Sequence, residues 1–206
     1  MGRPQTYGRE EFIEVALKIV DAEGLEALTL RRLGREVGAS ATAAYTHFNS
    51  REDLVSALVN KLLKEMVTSI SFSGKTPHDK LMEIGQSIRT VLLRHPFWVS
   101  TFLTVSTDAE EDAARAFQIV VELLEEAGLS GDDLVVAYRI LESFMFGITA
   151  YDLGRAPDQH VVRRRRYKRT RHPAFVNVAR SDRAIALHSE EAFTTGLTKL
   201  LTALGI

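Results

Sequence analysis

The sequence predicts an all-α protein, with a three-helix helix-turn-helix domain at the N-terminus and a larger helical domain after it. Apolar residues recur at helical spacing in nearly every segment, and no segment shows the sustained alternation typical of strands. Hydrophobic residues make up 45% of the 206 residues, which is enough for a substantial core. Capping residues and glycines separate the helical segments, so the pattern also predicts where most helices begin and end.

The first helix is predicted by an apolar stripe that stops at Gly24, a residue suited to the position just after a helix. The stripe consists of Phe12, Ile13, Ala16, Leu17 and Val20. Thr29 is suited to cap a short second helix. Gly38 is suited to end that helix, because glycine tolerates the positive φ that such a stop requires.

A third short helix is predicted from Ala41 to about His47, with Ser40 as its cap. Ser50 and Asp53 have the spacing of a capping box and predict a fourth helix from residue 51. We therefore predict residues 1–53 as the N-terminal domain, residues 54–206 as the second domain, and the fourth helix, from residue 51, as their connector.

The second domain is predicted to contain several helices of different length. One opens at Thr76-Pro77 and ends near His95-Pro96, since proline is accepted in a first turn and disfavours helix just before itself. A short aromatic segment, two helices closed near Gly128 and Gly154, and a C-terminal helix follow. Residues 155–181 are polar and basic with two prolines, and are interpreted as mostly loop, either disordered or holding a short helical turn.

Composition and motifs argue against catalysis. The chain has no cysteine, which excludes disulfides, thiolate metal sites and cysteine nucleophiles. We find no nucleotide-binding glycine loop, no His-Glu-x-x-His and no nucleophile elbow, and the histidines show no paired spacing. No enzyme activity, cofactor or metal is therefore expected. We also find no secretory signal and no run of about eighteen apolar residues, so a cytoplasmic protein outside the membrane is expected.

The segment around residues 38–40 fits the turn of a helix-turn-helix, in which the second helix enters the major groove of DNA. The small residues of 41–44 would let the backbone approach the groove, while Tyr45, His47 and Arg51 are long enough to reach bases or phosphates. Residues 1–53 carry seven basic and nine acidic residues, so DNA would have to meet a local basic face.

Residues 28–54, LTLRRLGREVGASATAAYTHFNSREDL, resemble the DNA-binding domain of the tetracycline-repressor (TetR) family. The matching positions are Leu28, Thr29, Arg32, Leu33, Val37, Gly38, Ser40, Tyr45, His47, Phe48, Arg51, Glu52, Asp53 and Leu54. The segments LESFMFGITAYDLG and SEEAFTTGLTKLL resemble the C-terminal helices of that family more loosely. Two departures are Gly34 in place of the usual alanine and Ala44 in place of a bulky apolar residue.

The resemblance implies an all-helical subunit, a homodimer built on the last two long helices, and a pocket for a small-molecule effector whose binding lowers DNA affinity. The implied partners are thus double-stranded operator DNA, an effector and a second subunit. Carried over by position, the DNA contacts would be Thr29, Arg31, Ser40, Ala41, Thr42, Tyr45, His47 and Arg51. The alternatives are that Tyr45 and His47 are polar tips of core residues, and that Thr29 only caps its helix.

The resemblance also implies that aromatic residues of the second domain line a ligand pocket, although helical spacing alone favours a core for each of them. Candidate ligand-binding residues are Trp98, Phe102, Phe117, Tyr138, Glu142 and Met145. Glu142 and its neighbour Arg139 interrupt an apolar helix, either as surface or dimer charges or as groups that orient a polar ligand.

The arginine-rich run 163–172 is interpreted as a solvated loop. The alternatives are a second DNA contact, the acidic surface of another subunit, or an anionic ligand. For the whole chain, the sequence predicts a ligand-responsive regulator, with a repressor as the expected form. The alternative is a helical binding protein that kept this fold and lost DNA binding. Effector, operator and direction of regulation are not readable from the residues.

Overall fold

A computed structural model describes residues 7–68, 70, 75–104, 111–153, 165–180 and 190–206. Within these ranges the chain forms α-helices joined by turns and no strand. The helices are α1 (Arg9–Glu23), α2 (Leu30–Val37), α3 (Ala41–Tyr45), α4 (Arg51–Thr68), α5 (Pro77–Arg94), α6 (Trp98–Thr104), α7 (Glu111–Glu126), α8 (Gly131–Leu153), α9 (Pro173–Arg180) and α10 (Glu190–Ala203). The all-α fold predicted from the sequence is confirmed.

Most helix ends in the N-terminal region form as their side chains predict. The hydroxyl of Thr29 accepts the backbone N–H of Arg32 at 3.1 Å, and the hydroxyl of Ser40 accepts that of Ala43 at 3.2 Å. The Ser50 hydroxyl likewise accepts the N–H of Asp53 at 3.1 Å. Each bond satisfies one of the backbone donors that a helix start leaves without a partner.

Two boundary predictions were wrong. Helix α3 ends at Tyr45 and not near His47, because residues 46–47 continue as a turn. Part of the segment interpreted as loop is helical: residues 165–169 and α9, which starts at Pro173. Proline at the first helical position is favourable, and the side chains of Tyr167 and Phe175 contact each other with ring centroids 5.2 Å apart. Residues 155–164 and 181 of that segment lie outside the described residues.

The chain divides into two compact units. The N-terminal compact unit comprises Met1–Thr68 with His95–Ala116, and the second compact unit comprises Ser69–Arg94 with Phe117–Ile206. The predicted functional boundary at residue 53 is a different kind of division, because the compact units follow packing and place all of α4 with the N-terminal helices.

The core of the N-terminal compact unit is closed by large side chains that are almost fully buried. They are Phe12, Leu28, Leu33, Phe48, Leu54, Leu58, Leu62 and Trp98. These positions come from α1, α2, α4 and α6 and from the turns before α2 and α4, so the helices pack around one apolar centre. The predicted stripe of α1 lies in this core, since all five of its residues are buried.

The second compact unit has its own apolar cluster, formed by α5, α7, α8 and α10. Two glycines of this unit lie directly against side chains. A Cβ at Gly85 of α5 would lie 2.5 Å from the Leu197 side chain of α10. A Cβ at Gly196 of α10 would lie 2.7 Å from the ring of Phe144 of α8. Close helix approach in this unit therefore depends on two missing side chains.

Helix α8 differs from the sequence-based expectation in one respect. It has 23 residues, and by length and composition alone it is apolar enough to cross a membrane. Its charges at Arg139 and Glu142 interrupt the apolar run, which is why the sequence shows no uninterrupted stretch. Only 22% of its apolar window is buried in the single chain, which leaves an exposed apolar surface along the helix.

Candidate nucleic-acid interface

The turn between α2 and α3 has the geometry of a helix-turn-helix. Gly38 is left-handed, with φ 82° and ψ 19°, and the N–H of Ala39 donates to the carbonyl of Gly34 at 2.8 Å. Ala44 lies on the inner face of α3 and is fully buried, although its side chain is smaller than the residue usual at this position in the family. The small side chain is therefore accommodated in a closed core, and α3 presents its other face outward.

The outward face carries several of the residues predicted to contact DNA. Thr42 and Tyr45 are exposed on α3, and the side chain of Tyr45 is 58% exposed. Thr29 and Arg31, at the start of α2, are exposed as well. Ser40 is exposed while its hydroxyl caps α3. Ala41 begins α3, and its side chain is outside the described part of the structure.

His47 and Arg51 have intramolecular partners. His47 Nε2 lies 3.2 Å from the carbonyl oxygen of Tyr7, and its ring is 5.1 Å from that of Phe12. Arg51 donates from Nε to the carbonyl of Leu28 at 3.0 Å and from Nη2 to the carbonyl of Leu25 at 2.8 Å. These bonds fasten both ends of the α3–α4 turn to α1 and to the segment before α2, which gives the two side chains a positioning role.

The basic face of α2 is smaller than its arginine count suggests. Arg32 donates to both carboxylate oxygens of Glu23, and its Nε lies 3.7 Å from Glu36. The hydrogen bonds from Arg32 lower the pKa of Glu23, so that carboxylate stays charged and neutralises the arginine. Arg31 and Arg35 remain exposed. Arg35 was not predicted as a contact, although its position on the face opposite Leu30 and Leu33 was readable from the helical period.

The six candidate ligand-binding residues are divided between the compact units. Trp98 is fully buried and Phe102 half-buried in the N-terminal compact unit. Phe117, Tyr138, Glu142 and Met145 belong to the second compact unit. The rings of Phe117 and Tyr138 have centroids 6.1 Å apart, and Arg139 donates to Glu142 at 2.6 Å. Burial, with Glu142 nearby, raises the pKa of Tyr138, so its hydroxyl stays protonated and can donate.

A buried ion pair in the second compact unit was missed by the sequence analysis. Arg89 of α5 donates from Nη2 to Asp152 of α8 at 2.7 Å, and their side chains are 3% and 4% exposed. The Arg89 guanidinium also lies 5.0 Å from the ring centroid of Phe193. No local pattern could have paired two residues this far apart in sequence, although a lone arginine within the apolar stripe of α5 was a visible anomaly.

The arginine-rich run is described from residue 165 onward, where Arg165, Arg166 and Lys168 are exposed. Arg163 and Arg164 lie outside the described residues. Among the residues that the structure describes, no group of three His, Asp or Glu side chains is arranged to hold a metal ion.

Two family sequence models match the chain. The model described as "Bacterial regulatory proteins, tetR family" matches residues 12–58, and "Tetracyclin repressor-like, C-terminal domain" matches residues 73–205. An uncharacterized HTH-type transcriptional regulator of Mycobacterium tuberculosis is 26% identical over 160 residues, covering 74% of this chain and 73% of that protein. The class D tetracycline repressor of Escherichia coli is 25% identical over 140 residues, covering 68% of this chain and 63% of the repressor.

Solved structures with the same fold cover nearly the whole chain. The TetR regulator SCO7222 of Streptomyces coelicolor has a TM-score of 0.78 at 18% identity, covering 97% of this chain and 98% of its own. ActR of S. coelicolor, in complex with actinorhodin, has a TM-score of 0.76 at 21% identity, covering 96% and 95%. BioQ of Mycobacterium smegmatis, bound to its double-stranded DNA operator, has a TM-score of 0.63 at 19% identity, covering 97% and 98%.

Proposed function

Because the chain belongs to the tetracycline-repressor family of DNA-binding transcriptional regulators, which are not enzymes, we propose that it is a repressor released by a small-molecule effector. In this proposal a homodimer binds a near-palindromic operator, and residues 1–53 read DNA while residues 54–206 bind the effector and the second subunit. A regulator of this kind acts where the chromosome is, so we place it in the cytoplasm.

The observation that carries the DNA-binding proposal is the outward face of α3 behind its left-handed turn. Small residues and Thr42 allow this face to approach a groove, and the exposed Tyr45 extends from it. Thr29 and Arg31 would contact the phosphate backbone from the start of α2. The proposed contacts are Thr29, Arg31, Ser40, Ala41, Thr42 and Tyr45, with His47 and Arg51 acting mainly by holding α3 and α4 in place.

The exposed face of α8 supports the proposal of a homodimer. Val136 is 54% exposed and Ile140, one turn later, is 37% exposed. Gly147 continues this face, and a Cβ there would meet nothing within 4 Å. A contiguous apolar face of this kind is costly in water, and a two-fold partner would cover it with the same face of its own α8. The two N-terminal domains of the dimer would then bind two operator half-sites about 34–36 Å apart, or a multiple of this distance.

Effector control follows from linkage. Suppose that an effector binds more tightly to a dimer whose N-terminal domains are spaced wrongly for the operator. By linkage, it then lowers operator affinity by the same factor by which the operator lowers effector affinity. A coupling of about 1–3 kcal/mol corresponds to a change of about 5–150-fold in affinity. We propose Trp98, Phe102, Phe117, Tyr138, Glu142 and Met145 as candidate effector contacts. The actinorhodin complex of ActR and the operator complex of BioQ support both kinds of ligand for this fold.

The experiment is a titration of purified protein with duplex DNA from around its own gene, in a series of salt concentrations. We expect specific binding that weakens steeply with salt, because phosphate contacts release counterions. Tyr45→Ala is expected to lower operator affinity by about 1–3 kcal/mol without changing the melting temperature. Thr42→Ala, which removes a hydroxyl from the same face of α3, is also expected to weaken operator binding. Its control is Thr90→Ala, which removes a hydroxyl from an exposed position on α5. Wild-type affinity in both α3 variants would contradict the assignment.

A second candidate function is a protein of this fold that no longer binds DNA. Two observations favour it: the pairing of Arg32 with Glu23, and the use of Arg51 for backbone carbonyls, which together reduce the positive charge available to phosphates. If the protein ignores duplex DNA of every sequence at low ionic strength, this candidate replaces the first. The basic run gives a further arm, since neutralising Arg163–Arg166 flattens the salt dependence only if that run contacts DNA.

A further inference from the structure

The segment that follows α8 concentrates positive charge. Residues 165–172, here called the basic arm, form a helical turn at 165–169 and the link into α9. The arm contains no acidic residue and five basic ones, which are Arg165, Arg166, Lys168, Arg169 and Arg171. All five are exposed, and none forms an ion pair with a residue that the structure describes. An exposed cluster of like charges repels itself, so the arm is suited to an acidic partner.

Aromatic contacts give the basic arm a defined shape. The ring centroid of Tyr167 lies 5.2 Å from that of Phe175 in α9, and the ring of His172 meets Phe175 edge-on at 5.9 Å. Arg165 and Arg169 each lie two residues from Tyr167, which in a helical turn places them on the opposite side. These two arginines therefore extend from the outer side of the arm, away from the aromatic contact.

An acidic surface of the same compact unit also lacks partners. Glu125 lies in the last turn of α7, and Asp132 and Asp133 lie in the first turn of α8. These three residues, here called the acidic corner, are exposed and pair with no basic side chain in the described part of the chain. Outside residues 163–172, the chain holds 19 of its 26 basic residues and all 27 acidic ones, a net charge of −8. The arm and the corner are thus complementary in charge.

Within one chain the two surfaces belong to opposite ends of α8. The acidic corner holds its N-terminal end, and the basic arm follows its C-terminal end after residues 154–164. A helix of 23 residues is about 35 Å long. The exposed apolar positions Val136 and Ile140 lie between these ends. A second copy packed there in the antiparallel direction brings each arm to the partner's acidic corner, whereas parallel packing brings like charges together.

We propose that the basic arm of each subunit contacts the acidic corner of a second copy of this chain, in a dimer whose α8 helices are antiparallel. The inference rests on the proposed homodimer and adds the groups that set the direction of its helices. Ion pairs between exposed side chains are individually weak, but two-fold symmetry forms each of them twice. The arm and corner therefore select the orientation of the dimer, while the apolar face of α8 supplies the buried area.

The test uses two full-length variants with reversed charge. The arm variant is Arg165→Glu/Arg169→Glu, and the corner variant is Asp132→Lys/Asp133→Lys. Each variant alone places like charges at both contacts of its homodimer, so we expect the dimer Kd to rise about tenfold over the wild type at low salt. Sedimentation at a series of protein concentrations measures this change.

Mixing the arm variant with the corner variant in equal amounts tests whether the contact is between subunits. Both contacts of a heterodimer regain opposite charges, so heterodimers should exceed the half of all dimers that random pairing yields. Native mass spectrometry counts the three species, and the excess should disappear in samples equilibrated at high salt. If the corner variant fails to fold, Asp132→Asn/Asp133→Asn takes its place, and a smaller heterodimer excess is expected.

The matched control reverses two exposed charges of the N-terminal compact unit. Lys18→Glu/Arg35→Glu, mixed with the corner variant, should give no excess of heterodimers above that of wild type mixed with the corner variant. The arm variant should exceed both.

Three results would overturn the proposal. Random pairing of the arm and corner variants, with a dimeric wild type, removes the arm contact and leaves the proposed repressor function standing. A monomeric wild type removes the arm contact and the proposed homodimer together. Random pairing combined with a flatter salt dependence of operator binding in the arm variant would show that DNA, and not a second subunit, occupies the arm.

Discussion

The N-terminal helices and the second compact unit differ in how many large apolar side chains they expose. In residues 7–68, Tyr45 is the one large apolar side chain that the structure describes as exposed. The second compact unit exposes many more, among them Val135, Val136 and Ile140 on α8. Both regions have a closed core, so the difference lies in their surfaces. The head, residues 7–68, offers a polar face with one exposed aromatic group, whereas the body, the second compact unit, leaves an apolar face of α8 exposed.

Under the proposed function, exposed side chains serve different contacts in the two regions. In the head, we propose that the exposed Tyr45 contacts DNA, because a tyrosine combines an apolar ring with a hydroxyl. In the body, we propose that the exposed aliphatic residues of α8 contact the same face of a second subunit. The predictions below separate these two kinds of contact.

The largest effect is expected from placing charge on the exposed face of α8. The double variant Val136→Glu/Ile140→Glu should be monomeric, because two carboxylates would be desolvated at the proposed two-fold contact. Operator affinity should fall by about 10²–10⁴-fold, since the second head no longer binds as part of the same molecule. Sedimentation and operator titration measure the two effects.

The control for that variant is Leu93→Glu, which introduces one charge at an exposed apolar position of α5. It should remain dimeric. A dimeric α8 double variant, or a monomeric wild type, would remove the distinction between the surfaces of head and body.

The next largest effect is expected at the buried ion pair of the body. Asp152→Asn leaves the Arg89 charge buried without its carboxylate, which costs about 3–5 kcal/mol of folding free energy in comparable cases. Arg139→Gln, at the exposed end of its pair with Glu142, should cost no more than about 0.5 kcal/mol. Urea denaturation of both variants at equal protein concentration checks the contrast, and equal effects would argue against a structural role for the buried pair.

A smaller effect is expected at Arg51 in the head. Arg51→Ala removes two part-buried hydrogen bonds to the carbonyls of Leu25 and Leu28, and each such bond contributes about 0.5–1.5 kcal/mol. We expect a lower melting temperature and weaker operator binding together, because α4 and the turn before it lose their attachment. Weaker operator binding with an unchanged melting temperature would instead indicate direct phosphate contact.

The smallest effect is expected from acid. Arg32 lowers the pKa of Glu23 from its ordinary 4.5, so this pair stabilises the fold above that pH and its contribution is lost as the pH falls through the lowered value. Wild type should therefore melt higher than Glu23→Gln at pH 6, and the difference should disappear in more acidic solution. Glu26→Gln, an exposed change of the same charge, is the control. A difference that persists at low pH would assign the effect to something other than the ion pair.

Local features of the fold were predictable from the sequence because they depend on neighbouring residues. Thr29, Ser40 and Ser50 cap helices within three residues of themselves, and Gly38 adopts the left-handed conformation that its position requires. The family resemblance was readable for a similar reason, because it is concentrated in one continuous segment. Family membership and the all-α fold are confirmed, while the individual DNA and effector contacts stay predictions.

Features that depend on distant residues were not predictable. Arg51 was interpreted as a phosphate contact because its type and position suggest one, and its carbonyl partners lie more than twenty residues earlier in the chain. The pairing of Arg89 with Asp152 depends on packing between helices, which no spacing rule reports. Helix α9 was missed because its polar neighbourhood outweighed the weak apolar signal of Phe175 and Val176.

The absent side chains at Gly85 and Gly196 have a consequence for assembly. Both glycines set how closely α10 can approach its neighbouring helices. In the proposed dimer, α8 and α10 form the interface between the subunits. A single added methyl at either position would act as a wedge and displace α10 sideways. The angle between the two subunits of the proposed dimer would then change without any substitution at their interface. The geometry of the dimer would therefore depend partly on packing inside each subunit.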